Sequence, residues 1–320
     1  NGGAPGVDPL VAGNTVIADP ETNELNQGFL QYDGYGNVAK LGRQRIIYDN
    51  AAFIGNVGWR QNEQTYDAFS LSNKCIDGLT FNYAYVNQVN RIFGSDAIGV
   101  AENIPGDLNF LNASYTGFSG ITLGGYAYFM DFDDMLGPND IDNNTFGLSA
   151  KGDALGLTLY GEVAFQDDSG AAANDDAFYG HFTATKAFGS QSLTFGFESL
   201  GEGFKTPLAT VHAFNGFADA FIGGRIAGNH NGLADYYVSH TMPLCWGIKW
   251  TNVLHAYGDN DISAGYGWEY DSVLAKKFDE HFLAIAKFSY FDGDSDPFIS
   301  GATAGLPDTT RFSIELNYTF

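Results

Sequence analysis

From residue 62 onward, apolar and polar residues alternate with a period of two, in segments of about ten residues. That is the pattern of strands whose two faces meet different surroundings. The C-terminus shows it most clearly. Phe312, Ile314, Leu316, Tyr318 and Phe320 share one face, and Arg311, Ser313, Glu315, Asn317 and Thr319 share the other. Residues 156–166 repeat the design, with Leu157, Leu159 and Val163 opposite Thr158, Tyr160 and Glu162. Phe146 and Leu148 oppose Thr145 and Lys151, and Phe195 opposes Glu198. Around 248–257, Ile248, Trp250, Leu254 and Ala256 oppose Lys249, Thr251, His255 and Tyr257, with Asn252 interrupting the apolar row.

About fifteen such segments follow one another: 25–33, 37–48, 62–73, 78–90, 107–117, 121–132, 144–152, 156–166, 177–186, 191–200, 234–242, 247–257, 264–277, 281–291 and 309–320. Short connections alternate with long, mostly acidic ones. This predicts an up-and-down meander with one smooth end and one elaborated end. Helical spacing is nearly absent. Its one candidate, 208–222, lies in the longest connection, 201–233. There Leu208, Val211, Phe214, Phe217 and Phe221 recur at near-helical spacing, so this extracellular loop is expected to fold inward and constrict a pore.

A long meander is either a soluble sandwich or solenoid with its apolar face inside, or a transmembrane barrel with that face in lipid. Ten-residue strands fit a tilted membrane crossing. Aromatics such as Tyr83, Tyr85, Phe129, Trp250, Trp268 and Tyr290 crowd the strand ends, as interfacial girdles do. The ending on Phe320 resembles the C-terminal signal of bacterial outer-membrane barrels, which implies the barrel-assembly machinery as a partner. The expectation is one all-β, transmembrane, antiparallel barrel over 1–320, in the bacterial outer membrane. Its termini would be periplasmic and its outer face in contact with lipid and lipopolysaccharide.

Composition narrows the rest. Hydrophobic residues make up 44% of the chain but charged residues only 17%, and aromatics reach 15%, which excludes a disordered polymer. A net charge of −23 would repel phosphate, so nucleic acid is not expected as a partner. The N-terminal Asn1-Gly2-Gly3-Ala4 carries no signal peptide. Cys75 and Cys245 fall in two short turns about eight strands apart, too distant in such a barrel to bond.

No Gly-x-Ser-x-Gly elbow, His-Glu-x-x-His pair or Walker-type loop occurs, so an enzyme is not expected. No resident cofactor is expected either. Alternating carboxylates at Asp292, Asp294 and Asp296 are a weak candidate for loosely held Ca²⁺, although Pro297 and Thr303 break the EF-hand pattern. The polar faces supply candidate pore-lining residues of both signs. The basic ones are Arg43, Arg45, Lys151, Lys249, Lys277, Lys287 and Arg311. The acidic ones are Glu63, Asp67, Glu162, Glu198, Glu269, Asp271 and Glu315. Arg43 and Arg45 lie two apart and share a face, taken to be the lumen, because unpaired guanidinium is not tolerated in hydrocarbon. Pairing of these arginines with Glu63, Asp67 and Glu315, to stiffen the wall, is the alternative.

Over 41–69 the chain reads Leu41-Gly-Arg-Gln-Arg45, Asp49-Asn50 and Phe53-Ile-Gly-Asn-Val-Gly-Trp-Arg-Gln-Asn-Glu-Gln-Thr-Tyr-Asp-Ala-Phe69. This resembles the alginate-export family of outer-membrane β-barrels, with shorter similar pieces at 16–20, 111–115, 125–128, 206–219 and 274–278. The resemblance implies a barrel of about eighteen strands, three of them upstream of this chain, with residues 1–24 as an extracellular loop. A sixteen-stranded barrel is the alternative. It also implies an arginine-rich pore for a polyuronate. Three functions follow: a selective channel for anionic oligo- or polysaccharides, a general diffusion porin for small polar solutes, or a structural sleeve around a periplasmic partner. A folded 201–233 loop and a basic constriction would mark the first. Balanced charge around an open lumen would mark the second, and a lumen stripped of charge the third.

Overall fold

The structure is a computed structural model and describes residues 23–58, 62–94, 102–133, 141–167, 176–228, 231–260, 264–294 and 305–319. Among these residues lie fifteen strands. They are β1 (Gly28–Gly34), β2 (Asn37–Gln44), β3 (Thr65–Asn73), β4 (Leu79–Asn90), β5 (Asn103–Phe118), β6 (Ile121–Phe132), β7 (Asn143–Ala154) and β8 (Leu157–Asp167). Then come β9 (Ala177–Phe188), β10 (Gln191–Leu200), β11 (Leu233–Pro243), β12 (Ile248–Gly258), β13 (Gly265–Lys277), β14 (Phe282–Gly293) and β15 (Thr309–Tyr318). They form one antiparallel, up-and-down sheet in the order β1 to β15. The short turns explain the tight reversals. Tyr35-Gly36 and Leu155-Gly156 are two-residue connections with positive φ at both positions, 52° and 72°, then 56° and 73°. Their backbone twist matches that of the strands they join.

Two elements differ from the sequence expectation. Strand β2 stops at Gln44 rather than at 48, and the chain beyond it turns with positive φ at Asp49 (50°) and Ala51 (65°). The helix expected over 208–222 is replaced by one six-residue helix, α1 (Ile222–Ala227), after a 3-10 turn at Val211–Ala213. Positive φ at Asn215 (56°), Gly216 (85°) and Asp219 (60°) breaks helical continuity between them.

Packing divides the chain into two compact units. The first comprises Asn1–Leu148, Ala164–Asp176 and Lys205–Val211; the second comprises Ser149–Val163, Ala177–Phe204 and His212–Phe320. In the first, Tyr66, Ala68, Ala84, Val86, Phe110, Tyr126 and Tyr128 are buried, while Leu41, Phe69, Tyr85, Phe129 and Phe146 are exposed on the alternate positions. The second repeats this sorting with a different covered face. Val163 is 63% exposed where the adjacent Glu162 is 4% exposed. Phe195, Leu254, Phe312, Ile314 and Leu316 are bare, and Glu198, Asp235, His255, Glu269 and Asp271 are buried. Of the apolar rows read from the sequence, Leu157, Leu159, Ile248 and Trp250 are half-buried and the other described residues are exposed. This is the reverse of a water-soluble core, where apolar side chains are the ones removed from solvent.

On the bare face of β12 and β13, Asn252 and Ser272 are partnered. The Tyr270 hydroxyl donates to Asn252 Oδ1 at 2.6 Å, and the Trp250 indole N–H donates to Ser272 Oγ at 2.8 Å. The register pairs Asn252 with Ser272, and aromatic residues diagonal to them supply the donors. Asn252, the interruption in the apolar row, is thereby satisfied within the sheet surface.

Candidate functional site

Two connections fold onto the covered face: 45–64 after β2, and 201–232 between β10 and β11. In the first unit they hold each other. Ile54 and Leu208 form a parallel bridge, Gly55 N–H donates to Leu208 O at 2.9 Å, and Thr210 N–H donates to Ala51 O at 3.0 Å. Gln64 Nε2 donates to Gly55 O (2.9 Å) and Leu208 O (3.1 Å). Arg91 Nη1 donates to Pro207 O (3.1 Å) and Gln64 Oε1 (3.2 Å), and its burial pushes the guanidinium pKa down. Beneath lie Phe53, Phe110, Tyr126 and Tyr128, the last two stacked at 4.8 Å.

In the second unit, 212–228 is anchored by charge. Arg225 of α1 grips Glu198 of β10 through Nη1 and Nη2, both at 3.0 Å, and donates to Asn215 Oδ1 at 2.7 Å. Asn215 Nδ2 in turn donates to Glu198 Oε2 (2.8 Å) and Asp235 Oδ2 (3.1 Å). Burial pushes the Arg225 guanidinium down, but the Glu198 charge outweighs it, so its pKa stands above the ordinary value. The Phe214 ring lies 4.4 Å from Arg225 Cζ, a cation–π contact.

The turn at 216–218 aims backbone donors at β13. Phe217 N–H donates to Asp271 Oδ2 (3.2 Å) and Ala218 N–H to Glu269 Oε1 (2.7 Å). Gly216 has φ of +85°, and a Cβ there would collide with the Glu269 carboxyl group, so only glycine fits this approach. Asp219 accepts from Arg311 and lies 2.6 Å from His212 Nδ1. Lys287 pairs with Glu315 at 2.8 Å and sits 5.2 Å from the Phe217 ring centre. Phe221 closes the far end, buried against Tyr257 and Phe291. Beside the turn lies a half-open cavity of about 220 Å³, lined by His181, Glu198, Phe214, Asp235, Tyr237, His255 and Asp271 among others. His255 Nδ1 bonds to Asp235 at 2.8 Å, and its Nε2 lies 3.8 Å from Asp271 Oδ2.

The structure therefore brings Glu198, Glu269, Asp271, Lys287, Arg311 and Glu315 together with the 212–228 segment. It does not bring Arg43 there. Arg43 forms a two-bonded pair with Asp67 (2.8 and 3.1 Å), and the register sets Arg43 opposite Asp67 and Leu41 opposite Phe69. By alternation this pair has the parity of the exposed Leu41 and Phe69, opposite to that of the buried Gln44 and Tyr66, and both of its members are half-buried. Arg45 lies beyond the end of β2 and pairs with Glu63, which Asn56 and Asn26 also hold. Burial pushes Glu63 up, and these hydrogen bonds outweigh it, leaving the carboxyl below its ordinary value.

Lys151 and Lys249 are exposed near short turns, and Glu162 is buried, accepting from the Tyr160 hydroxyl at 2.6 Å. Of the apolar loop residues, Leu208 and Phe221 are buried and Val211, Phe214 and Phe217 half-buried. Cys75 and Cys245 are free thiols. Asp292 and Asp294 are described, whereas Asp296, Phe320 and residues 1–22 lie outside the described residues. Among the described residues no group of three or more His, Cys, Asp or Glu is arranged to hold a metal ion.

Sequence reasoning missed Asn215, Asp219, Arg225 and Asp235. Asp235 shares its alternation parity with Tyr237, so its face was readable. Arg225 stands alone among apolar residues and glycines over 220–228, and a lone guanidinium in such a segment demands an anion.

No family model and no curated protein matches the chain. Solved structures do. OpdQ of Pseudomonas aeruginosa is 13% identical with a TM-score of 0.63, over 90% of this chain and 80% of that one. OccAB2 of Acinetobacter baumannii is 14% identical with a TM-score of 0.62, over 89% and 74%. The outer membrane protein opdK of P. aeruginosa is 13% identical with a TM-score of 0.63, over 91% and 78%. The chain has the fold of these outer-membrane β-barrels. The resemblance to alginate-export proteins is corrected: the matching structures are Occ/Opd porins, and the motif pieces at 41–69 do not identify that family.

Replacing Arg225 with Gln leaves Glu198 buried without its cation, a change that costs about 3–5 kcal/mol for buried pairs. Hydrogen exchange should quicken at amides 214–227 while β10 and β13 stay protected. Unchanged exchange in 214–227 would mean that Arg225 does not anchor the segment.

Proposed function

We propose that the chain is an outer-membrane channel for small polar solutes, narrowed by the 212–228 segment. The observation that carries this reading is the wall of β10–β15. One face is bare and apolar. The other presents Glu198, Asp235, Glu269, Asp271, Lys287 and Arg311 beneath a segment bonded to them. The likeness to outer-membrane porins supports it and favours a small-solute porin over polysaccharide export. A channel rather than an enzyme is the corresponding reading of those neighbours. Retained charge argues against a sleeve filled by another chain. Carboxylates outnumber Arg and Lys on this wall, so a cation preference is the expected selectivity.

Two measurements test it. In planar bilayers at low salt, the full chain should give discrete, cation-preferring current steps. Exchanging 212–228 for a short Gly-Ser linker should raise their conductance. Absence of steps, or a linker variant with unchanged conductance, would contradict the reading. In reversible folding into lipid vesicles, Ile314→Arg should cost about 2–4 kcal/mol, the penalty of a lipid-facing Arg at mid-membrane. Thr251→Arg, on the opposite face, should cost far less. Equal costs would remove the assignment of the bare face to lipid.

A further inference from the structure

In the first unit the bare face changes character toward the strand ends that carry the long connections. Register sets Leu41 opposite Phe69 and Phe69 opposite Tyr85, and the row continues through Asn109 to Phe129. One step further along the same face stand Arg43, Asp67 and Gln88, with Asp107 opposite Asp131 beyond them. The register of β4 shifts between Val86 and Gln88, so Gln88 and Asn90 keep the face of Tyr85 despite their odd spacing from it. The Tyr85 hydroxyl donates to Asp107 Oδ1 across this boundary. A largely apolar row that gives way to polar groups, bridged by an aromatic hydroxyl, marks the level where a membrane face meets headgroups.

At that level lies an open cavity of about 320 Å³. Arg43, Gln88, Asn90, Glu102 and Asn103 line it, and Leu25 is the one apolar residue of its described lining. Asp67 fixes three of these side chains. It accepts from Arg43 Nε and Nη2, from Asn90 Nδ2 at 3.2 Å and from Gln88 Nε2 at 3.4 Å. Gln88 Nε2 also donates to Asn90 Oδ1 at 2.9 Å, and Gln88 Oε1 has no donor among the described residues. The Glu102 carboxylate and the Asn103 carboxamide likewise bond to no described residue. The cavity therefore offers acceptors and amide donors side by side, which hydroxyl groups, each both donor and acceptor, satisfy together. Its charge argues against a phosphate. Arg43 is already paired with Asp67, and Glu24 and Glu102 add two carboxylates.

We propose that this cavity receives a sugar unit of a glycolipid in the surrounding leaflet, whose acyl chains lie along the Leu41–Phe69–Tyr85 row. The proposal rests on the part of the channel reading that puts the bare face in lipid. Because the lining shares the parity of that face, a membrane headgroup is favoured over a solute in transit. Native mass spectrometry of the full chain in detergent micelles tests it, with rough-type lipopolysaccharide as probe. The comparators are phosphatidic acid, which has acyl chains and phosphate but no sugar, and a free glucosamine disaccharide. One lipopolysaccharide should stay bound per chain, and neither comparator should at the same concentration. Glu102→Leu together with Asn103→Leu should weaken retention about tenfold, the scale of two lost hydrogen bonds. Asp131→Leu, on the same face but outside the cavity, should retain lipopolysaccharide as the wild type does. Four results would overturn the proposal: no retention of lipopolysaccharide, equal retention of either comparator, undiminished binding by the double variant, or an equal loss in Asp131→Leu. Bilayer recordings on the same preparation separate the two claims. Current without glycolipid retention overturns the site alone, and retention without current overturns the channel reading alone.

Discussion

An extended strand sends successive side chains to opposite faces, and this constraint organises the whole molecule. Fifteen antiparallel strands keep one apolar set bare and one set covered. Each strand from β2 to β14 is paired on both sides, the backbone satisfaction that a β-structure in hydrocarbon requires. Side-chain polar groups on the bare face follow the same requirement. Asn252 and Ser272 take their donors from Tyr270 and Trp250 within the sheet surface.

The covered face creates the opposite problem, because charged residues there are taken out of water. In the second unit the 212–228 segment supplies the missing partners: Arg225 for Glu198, backbone N–H groups for Asp271 and Glu269, and Asp219 for Arg311. A buried ion pair is weak evidence for net stability, since desolvation offsets much of the attraction. Its effect here is positional. Removing either member strands a buried charge, so the segment has one favoured placement. In the first unit the corresponding anchoring is mainly backbone, through the Ile54–Leu208 bridge and the Gln64 and Arg91 bonds.

Much of this was legible in the sequence. Period-two patterning located the strands of the described residues from β3 onward, because each face meets a uniform environment along its length. It also gave the parity of Glu198, Glu269 and Arg311. What it could not give was local backbone shape and long-range pairing. The apolar spacing of 208–222 mimicked a helix, yet positive φ at Asn215, Gly216 and Asp219 made it a folded turn. Arg43 was placed in the lumen by the cost of an unpaired guanidinium, but Asp67 across the strand pair neutralises it and removes that argument. The partners of Arg225 are 10 and 27 residues away in sequence, and no spacing rule joins them. The family resemblance failed for a related reason: short motif pieces in a β-barrel report turn and strand chemistry that many barrels share.

The central claim is that the bare face meets lipid, and that the opposite face meets water wherever the folded connections leave it open. Spin labels at single cysteines test it most directly, with Cys75 and Cys245 replaced by Ser and the chain reconstituted in bilayers. Labels at Val163, Phe195 and Ile314 should collide freely with oxygen and little with a water-soluble nickel complex. Labels at Thr194, Thr251 and Ser313 should show the reverse. A nickel-accessible Val163, Phe195 and Ile314 together with an oxygen-accessible Thr194, Thr251 and Ser313 would contradict the account.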